Sequence, residues 1–172
     1  HWDIFRVNWP EISDRVFLAP GRGRELGRRY GEQLATASRQ YEIIHLVASS
    51  MGAHVAHGLA ERYREIRSSQ PLSAYIHTTF LDPFAASGLF RMRYGVRNFG
   101  RYADFAENYY TADDLVPFTN KPLLHAVNFD LSGLVPPREA PGFTYFHDFP
   151  VYFYRDSVGA GVLGFSLSPF AL

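Results

Sequence analysis

The sequence predicts an α/β fold with a mainly parallel sheet flanked by helices, on three observations. Segments rich in β-favouring residues alternate along the chain with segments of helical spacing, the order that builds βαβ units. The run YEIIHLVAS, residues 41–49, is short and largely apolar, as a strand covered on both faces would be. The 172 residues, 47% of them hydrophobic, suffice for one sizeable core and contain no internal repeat or low-complexity stretch, so a single domain over residues 1–172 is expected.

Each element follows from its local pattern. WDIFRVNW mixes aromatic and β-branched residues and stops at Pro10, which predicts a first strand over residues 3–9. Between Gly23 and Tyr41 the apolar positions Leu26, Tyr30, Leu34, Ala37 and Tyr41 approximate one helical stripe, so this helix should lie on a sheet face. The strand at 41–49 comes next. From Gly52 to Ile66 the positions Ala53, Ala56, Ala60 and Tyr63 share a face, while Glu61, Arg62, Arg64 and Glu65 supply a wet one. SAYIHTTFLDP is a strand closed by Pro83. Residues 84–104 keep no period and carry several small-residue breaks, which reads as an insertion or a mobile covering segment. FAENYYTAD and LLHAVNFDLSGL are two further strands, and DFPVYFYRDSV begins the last helix.

Composition narrows the function classes. Seventeen Lys plus Arg balance seventeen Asp plus Glu, so the sustained positive field that nucleic acid selects is absent and no nucleic-acid partner is expected. Without Cys there are no disulfides, zinc-thiolate sites or thiol nucleophiles. SVGAGVLGFSLSPFAL, from Ser157, is Gly-rich and shorter than the ~20 apolar residues a membrane span needs, so no integral membrane segment is expected.

Chemistry concentrates where the strand at 41–49 gives way to a helix. A Ser on that sharp turn projects its Oγ above the sheet's carboxyl edge, and the helix behind it offers free N–H groups to a developing oxyanion. Such a turn is strained and requires small residues two positions either side of the Ser. Ser50 has Ala48 and Gly52 there. The bland alternative is a small helix-capping Ser in a packed turn.

With Ala48-Ser49-Ser50-Met51-Gly52 in place of Gly-x-Ser-x-Gly, HLVASSMGAHVA resembles the strand, elbow and helix of the α/β-hydrolase superfamily, in particular its pancreatic-lipase-like group. TTFLDPF is similar to that group's strand-end acid and YFHDFPVYFYRDSV to its His before an aromatic helix, and the order Ser, Asp, His is kept. The similarity runs from about residue 4 to 158. It implies Ser50 as nucleophile, His147 as general base and acid, Asp82 as the carboxylate that orients the imidazole, and the Met51 backbone N–H as an oxyanion donor. Asp113 and Asp114, after the next strand, remain alternatives for the acid. Phe146, Phe149 and Phe153 are ordinary core or, alternatively, the lining of an acyl channel.

The resemblance further implies a carboxylic ester or lipid substrate with no cofactor and no metal, leaves association with a lipid interface open, and points to secretion without a readable signal peptide. It also implies strands and a second oxyanion donor upstream of residue 3, so the chain reads as lacking its N-terminal strands. A lipid-binding or structural relative without activity, and a thioesterase, amidase or acyltransferase using the same triad, are the alternatives.

Other constellations are weaker. His54 and His57 lie three apart on the second helix and read as part of a polar face, since no third metal ligand matches their spacing. GRGRELG is one residue too long for a dinucleotide fingerprint and follows Pro20 instead of a strand. Arg22, Arg24, Arg28 and Arg29, interleaved with Glu25 and Glu32, read as a solvated helix face.

Overall fold

A computed structural model describes residues 3–7, 18–69, 73–88, 90–137 and 142–160. Helix α1 spans Ala19–Thr36, strand β1 Ile43–Ser49, helix α2 Gly52–Arg67 and strand β2 Tyr75–Leu81. A short helix α3, Tyr94–Asn98, precedes strands β3, Phe105–Tyr110, and β4, Val127–Asp130; a 3₁₀ turn at Ser132–Leu134 and helix α4, Tyr145–Ala160, follow. The four strands form one sheet in the order β1-β2-β3-β4, every pair parallel, which makes the chain an α/β protein as the alternation predicts.

Alternation along each strand builds two unlike faces. On one, Ala48, Phe80 and Ala106 pack with Ala53 and Ala56 of α2 and with Phe99 and Leu123. On the other, Leu81, Tyr109 and Phe129 meet Phe149, Phe153 and Tyr154 of α4. Small residues on α2 let its backbone lie close to the sheet, and rings fill the wider gap under α4.

Several expectations are corrected. Residues 3–7 form no strand, and Ile4 and Phe5 are exposed; residues 8 and 9 of that expected strand lie outside the described residues. β1 is accordingly an edge of the described sheet, and its apolar run is not covered on both sides, Val47 being exposed. The strand expected over 123–134 is confined to Val127–Asp130. Residues 84–104 are not a loose covering: Phe84, Ala85, Ala86 and Phe99 are buried, and Phe99 stacks on Phe80 at 5.4 Å between ring centroids.

The largest correction concerns α1. Its buried stripe is Ala19, Gly23, Gly27, Gly31 and Ala35, not Leu26, Tyr30 and Leu34, and its principal partner is α2 instead of the sheet. The backbones touch: a Cβ on Gly27 would stand 2.0 Å from the Val55 carbonyl oxygen, and one on Gly58 2.2 Å from that of Arg24. Glycines thus form the contact surface. The same approach buries Glu61, expected on the wet face, against Arg24 (2.6 and 2.9 Å) and Arg28 (2.9 Å), which removes those two arginines from the expected solvated face. His54 and His57 also face inward, fully or nearly buried beside Tyr94 and Phe99.

Candidate functional site

The site is assembled at the carboxyl ends of β1, β2 and β3. β1 and β2 pair in register up to Ser49 and Leu81, and the next residues turn away together. Ser50 donates its N–H to the Leu81 carbonyl at 3.1 Å, and its own carbonyl accepts from Ala53 at 3.2 Å and from Phe84 at 3.1 Å. Between those anchors Ser50 adopts φ 51°, a left-handed conformation that an L-residue keeps only when its surroundings enforce it. Gly52 opens α2 immediately afterwards. The substituted elbow position fits: a Cβ on Gly52 would lie 3.9 Å from the Ala48 methyl, an ordinary contact. No side chain caps α2, and among the described residues the Met51 N–H makes no hydrogen bond, so it stays free to meet an anion beside the Ser50 hydroxyl.

Asp82 follows β2 as Ser50 follows β1. It too is left-handed, φ 45°, and its N–H is tied to the Tyr109 carbonyl at 2.8 Å. Its carboxylate is fully buried; Oδ1 accepts from the Asn120 N–H at 3.0 Å and Oδ2 stands 3.1 Å from His147 Nδ1. Asp114, beyond β3, reaches the same nitrogen: its Oδ2 lies 3.0 Å from His147 Nδ1, while Oδ1 accepts from the Val116 N–H at 3.0 Å and Oδ2 from the Thr119 hydroxyl. The two acids weighed as alternatives therefore sit on one imidazole together. Asp113 is exposed and makes no such contact.

His147 is delivered by the first turn of α4. Pro150, inside that helix, has no N–H to give to the carbonyl four residues back, at Phe146. The buried Thr111 hydroxyl takes that place, donating to Phe146 O at 2.9 Å, and so fastens the turn carrying His147 to the end of β3. Asn120, Thr119 and Thr111 were not singled out from the sequence. A proline within an otherwise helical aromatic run was the available signal for Thr111; the other two sit in a loop whose conformation no pattern encodes.

Two carboxylates around one imidazole shape the electrostatics. Burial pushes Asp82 up to about 6, opposed by its bond to His147 and reinforced by Asp114. Burial draws His147 down, but its bond to Asp82 and the charges of Asp82 and Asp114 outweigh that and raise it above its ordinary value. With Nδ1 committed to the acids, Nε2 is the nitrogen left for chemistry.

The remaining expected residues are less closely joined. The Ser50 hydroxyl makes no hydrogen bond to His147 or to any other described residue. Phe149 and Phe153 are half-buried on the Leu81 and Tyr109 cluster, and Phe146 is half-buried against the Tyr145 ring. A cleft of 780 Å³ borders Asp114 but is lined by Met92, Val96, Leu115 and Phe118, with neither Ser50 nor His147 on its wall, so it is not counted as an acyl pocket. Donor atoms of Asp82, Asp114 and His147 lie within 4.8 Å of one another, as do those of His45, His77 and Glu107, which makes these the two groups able to hold a cation among the described residues. No helix among them is long and apolar enough to cross a membrane.

Comparisons with family models, with curated proteins and with solved structures give no match to this chain.

Proposed function

We propose that this chain carries a serine-hydrolase centre of α/β-hydrolase type, cleaving carboxylic esters, acylglycerol-like lipids among them, through an acyl-enzyme on Ser50. One observation carries the proposal: a left-handed serine at a strand-to-helix junction stands one strand from a buried carboxylate bonded to His147 Nδ1. Strain at a polar residue is retained where function needs the side chain displayed, and this one is displayed over a helix N-terminus.

Ser50 Oγ attacks the acyl carbonyl as its proton passes to His147 Nε2, and the oxyanion is held by the Met51 N–H. Collapse of the tetrahedral intermediate expels the alcohol, which takes the proton back from Nε2. Water then repeats both steps on the ester and releases the acid. Asp82 and Asp114 hold the imidazole with Nδ1–H inward and stabilise the imidazolium. Phe146 is the aromatic nearest His147 along α4 and is assigned to the acyl side of the site. The transfer requires the Ser50 hydroxyl within hydrogen-bond reach of Nε2, a contact that apo sites commonly form only with substrate bound. No metal or cofactor enters these steps.

A fluorophosphonate probe at pH 8 tests this. The expected result is one covalent adduct on Ser50, absent in Ser50→Ala and formed at least ~10²-fold more slowly in His147→Ala. No adduct on protein shown by circular dichroism to be folded would overturn it.

The missing Ser50–His147 bond favours a second reading, a lipid-binding relative without turnover. Saturable lipid binding unchanged in Ser50→Ala, with no hydrolysis of p-nitrophenyl esters, identifies that case. Faster turnover of thioesters, amides or transfer to alcohols would instead assign the same triad to another acyl chemistry.

A further inference from the structure

We propose that His45, His77 and Glu107 form a binding site for one divalent ion of zinc type, held through the two imidazole Nε2 atoms and a carboxylate oxygen. The site lies on the α4 face of the sheet, away from the Ser50 elbow, and none of its residues enters the reaction above.

Sheet register creates it. His45 on β1 pairs directly with His77 on β2, so their side chains point to one face; their rings stack, 4.1 Å between centroids and 6° between planes, and one ring has to turn out of that stack for both Nε2 lone pairs to meet one ion. Thr79, two residues along β2, pairs with Glu107 on β3 and brings the carboxylate to that same face. His77 Nε2 stands 3.1 Å from Glu107 Oε1, close to the roughly 3.3 Å that separates ligands around a tetrahedral ion. The Thr79 hydroxyl marks the centre of the group, 2.6 Å from Glu107 Oε1, 2.9 Å from His45 Nε2 and 3.5 Å from His77 Nε2. An ion seated there requires the Thr79 side chain to rotate its hydroxyl out of the centre of the group.

Charge argues for a cation. Glu107 is fully buried, and its carboxylate accepts from the Thr79 and Tyr109 hydroxyls with His77 Nε2 at 3.1 Å. Among the described residues no Arg or Lys pairs with it. A buried carboxylate is costly to ionise without a cation beside it, and a metal ion supplies one. Two imidazoles with one carboxylate are a zinc donor set. The surroundings suit one as well: the Tyr109 hydroxyl donates to Glu107 Oε2 at 3.0 Å and fixes the carboxylate's orientation.

The test is calorimetric titration of the whole, chelator-stripped chain with ZnCl₂, and with CoCl₂ monitored by visible absorption. One ion per chain, a tetrahedral cobalt spectrum and a rise in Tm with zinc are expected. His45→Gln and Glu107→Gln should each weaken binding at least tenfold and remove the Tm rise, whereas His147→Gln leaves both intact. Since Glu107 is fully buried and bonded to His77, Thr79 and Tyr109, half-buried His45→Gln is the deciding variant. No stoichiometric binding at micromolar zinc would overturn the proposal and leave a purely hydrogen-bonded network. Binding that survives His45→Gln and disappears in His147→Gln would overturn it equally, by placing the ion at Asp82 and Asp114.

Discussion

Holding a serine at φ 51° costs about 1–2 kcal/mol relative to an unstrained residue, a cost that glycine avoids. Ser50→Gly is therefore expected to raise the urea-unfolding stability by about 0.5–1 kcal/mol, after the flexibility of glycine is offset, while abolishing the fluorophosphonate adduct. Ser50→Ala should abolish the adduct with no such gain; equal stabilities for the two variants would contradict an enforced turn. His147, the other end of the proposed proton transfer, is raised because two acids face it. A base must be neutral to accept a proton, so a raised value moves the acid limb of a kcat/KM profile above pH 6.5. Removing one anion in Asp114→Asn should shift that limb to lower pH, measured on a p-nitrophenyl ester. A limb that stays in place would mean Asp114 is a spectator and Asp82 alone orients the ring. At this scale the sequence offered Ser50, Asp82 and His147 as an ordered trio, of which the structure joins Asp82 to His147. That Asp114 joins Asp82 instead of competing with it depends on how the loop from Ala112 to Asn120 closes, with Phe118 and Asn120 in left-handed conformations.

Elements were legible where periodicity reported a partner of the assumed kind. β2, β3, α2 and α4 lie close to their expected ranges, although α2 also buries His54, His57 and Glu61, and β3 buries Glu107 and Asn108. α1 does not. A helix that meets another helix at backbone contact selects small residues at every fourth position, and that stripe is invisible to a search for large apolar ones. Gly27→Ala should consequently destabilise by about 2 kcal/mol or more, because the Val55 carbonyl 2.0 Å away is backbone and cannot rotate aside. Gly21→Ala, with nothing within 4 Å, should instead stabilise by about 0.5–1 kcal/mol. Urea denaturation of the pair checks the contrast; similar effects at both positions would mean the helices are not in contact. α4 adds a second case, in which Pro150 weakens the helix locally and so frees a carbonyl that the Thr111 hydroxyl uses to position His147.

Across the molecule, buried histidines tie folding to pH. His45, His54 and His57 are each drawn to about 4, chiefly by burial. Between that value and 6.5 the unfolded chain binds protons that the folded chain refuses, so stability falls as pH drops through this window, by on the order of 3 kcal/mol per histidine as an upper bound. Asp82, raised to about 6, acts in the opposite sense, because its folded form binds the proton first and its contribution is lost as pH rises. Three groups outweigh one. Urea midpoints with chelator present should therefore decline from pH 6.5 to 4, and His54→Leu should remove about a third of the decline; a flat profile would mean these rings are not buried as neutral groups.

The sequence by itself determined the α/β class, the mainly parallel sheet and the strand-to-helix turn at Ser50, because hydrophobic period and turn chemistry are local properties written in adjacent residues. Only the tertiary structure decided that glycines of α1 face α2, that Glu61 is buried against Arg24 and Arg28, that two acids share His147, and that His45, His77 and Glu107 meet on one sheet face. Those are contacts between residues some 30 to 65 positions apart, set by register and by helix approach, and no local pattern carries that information.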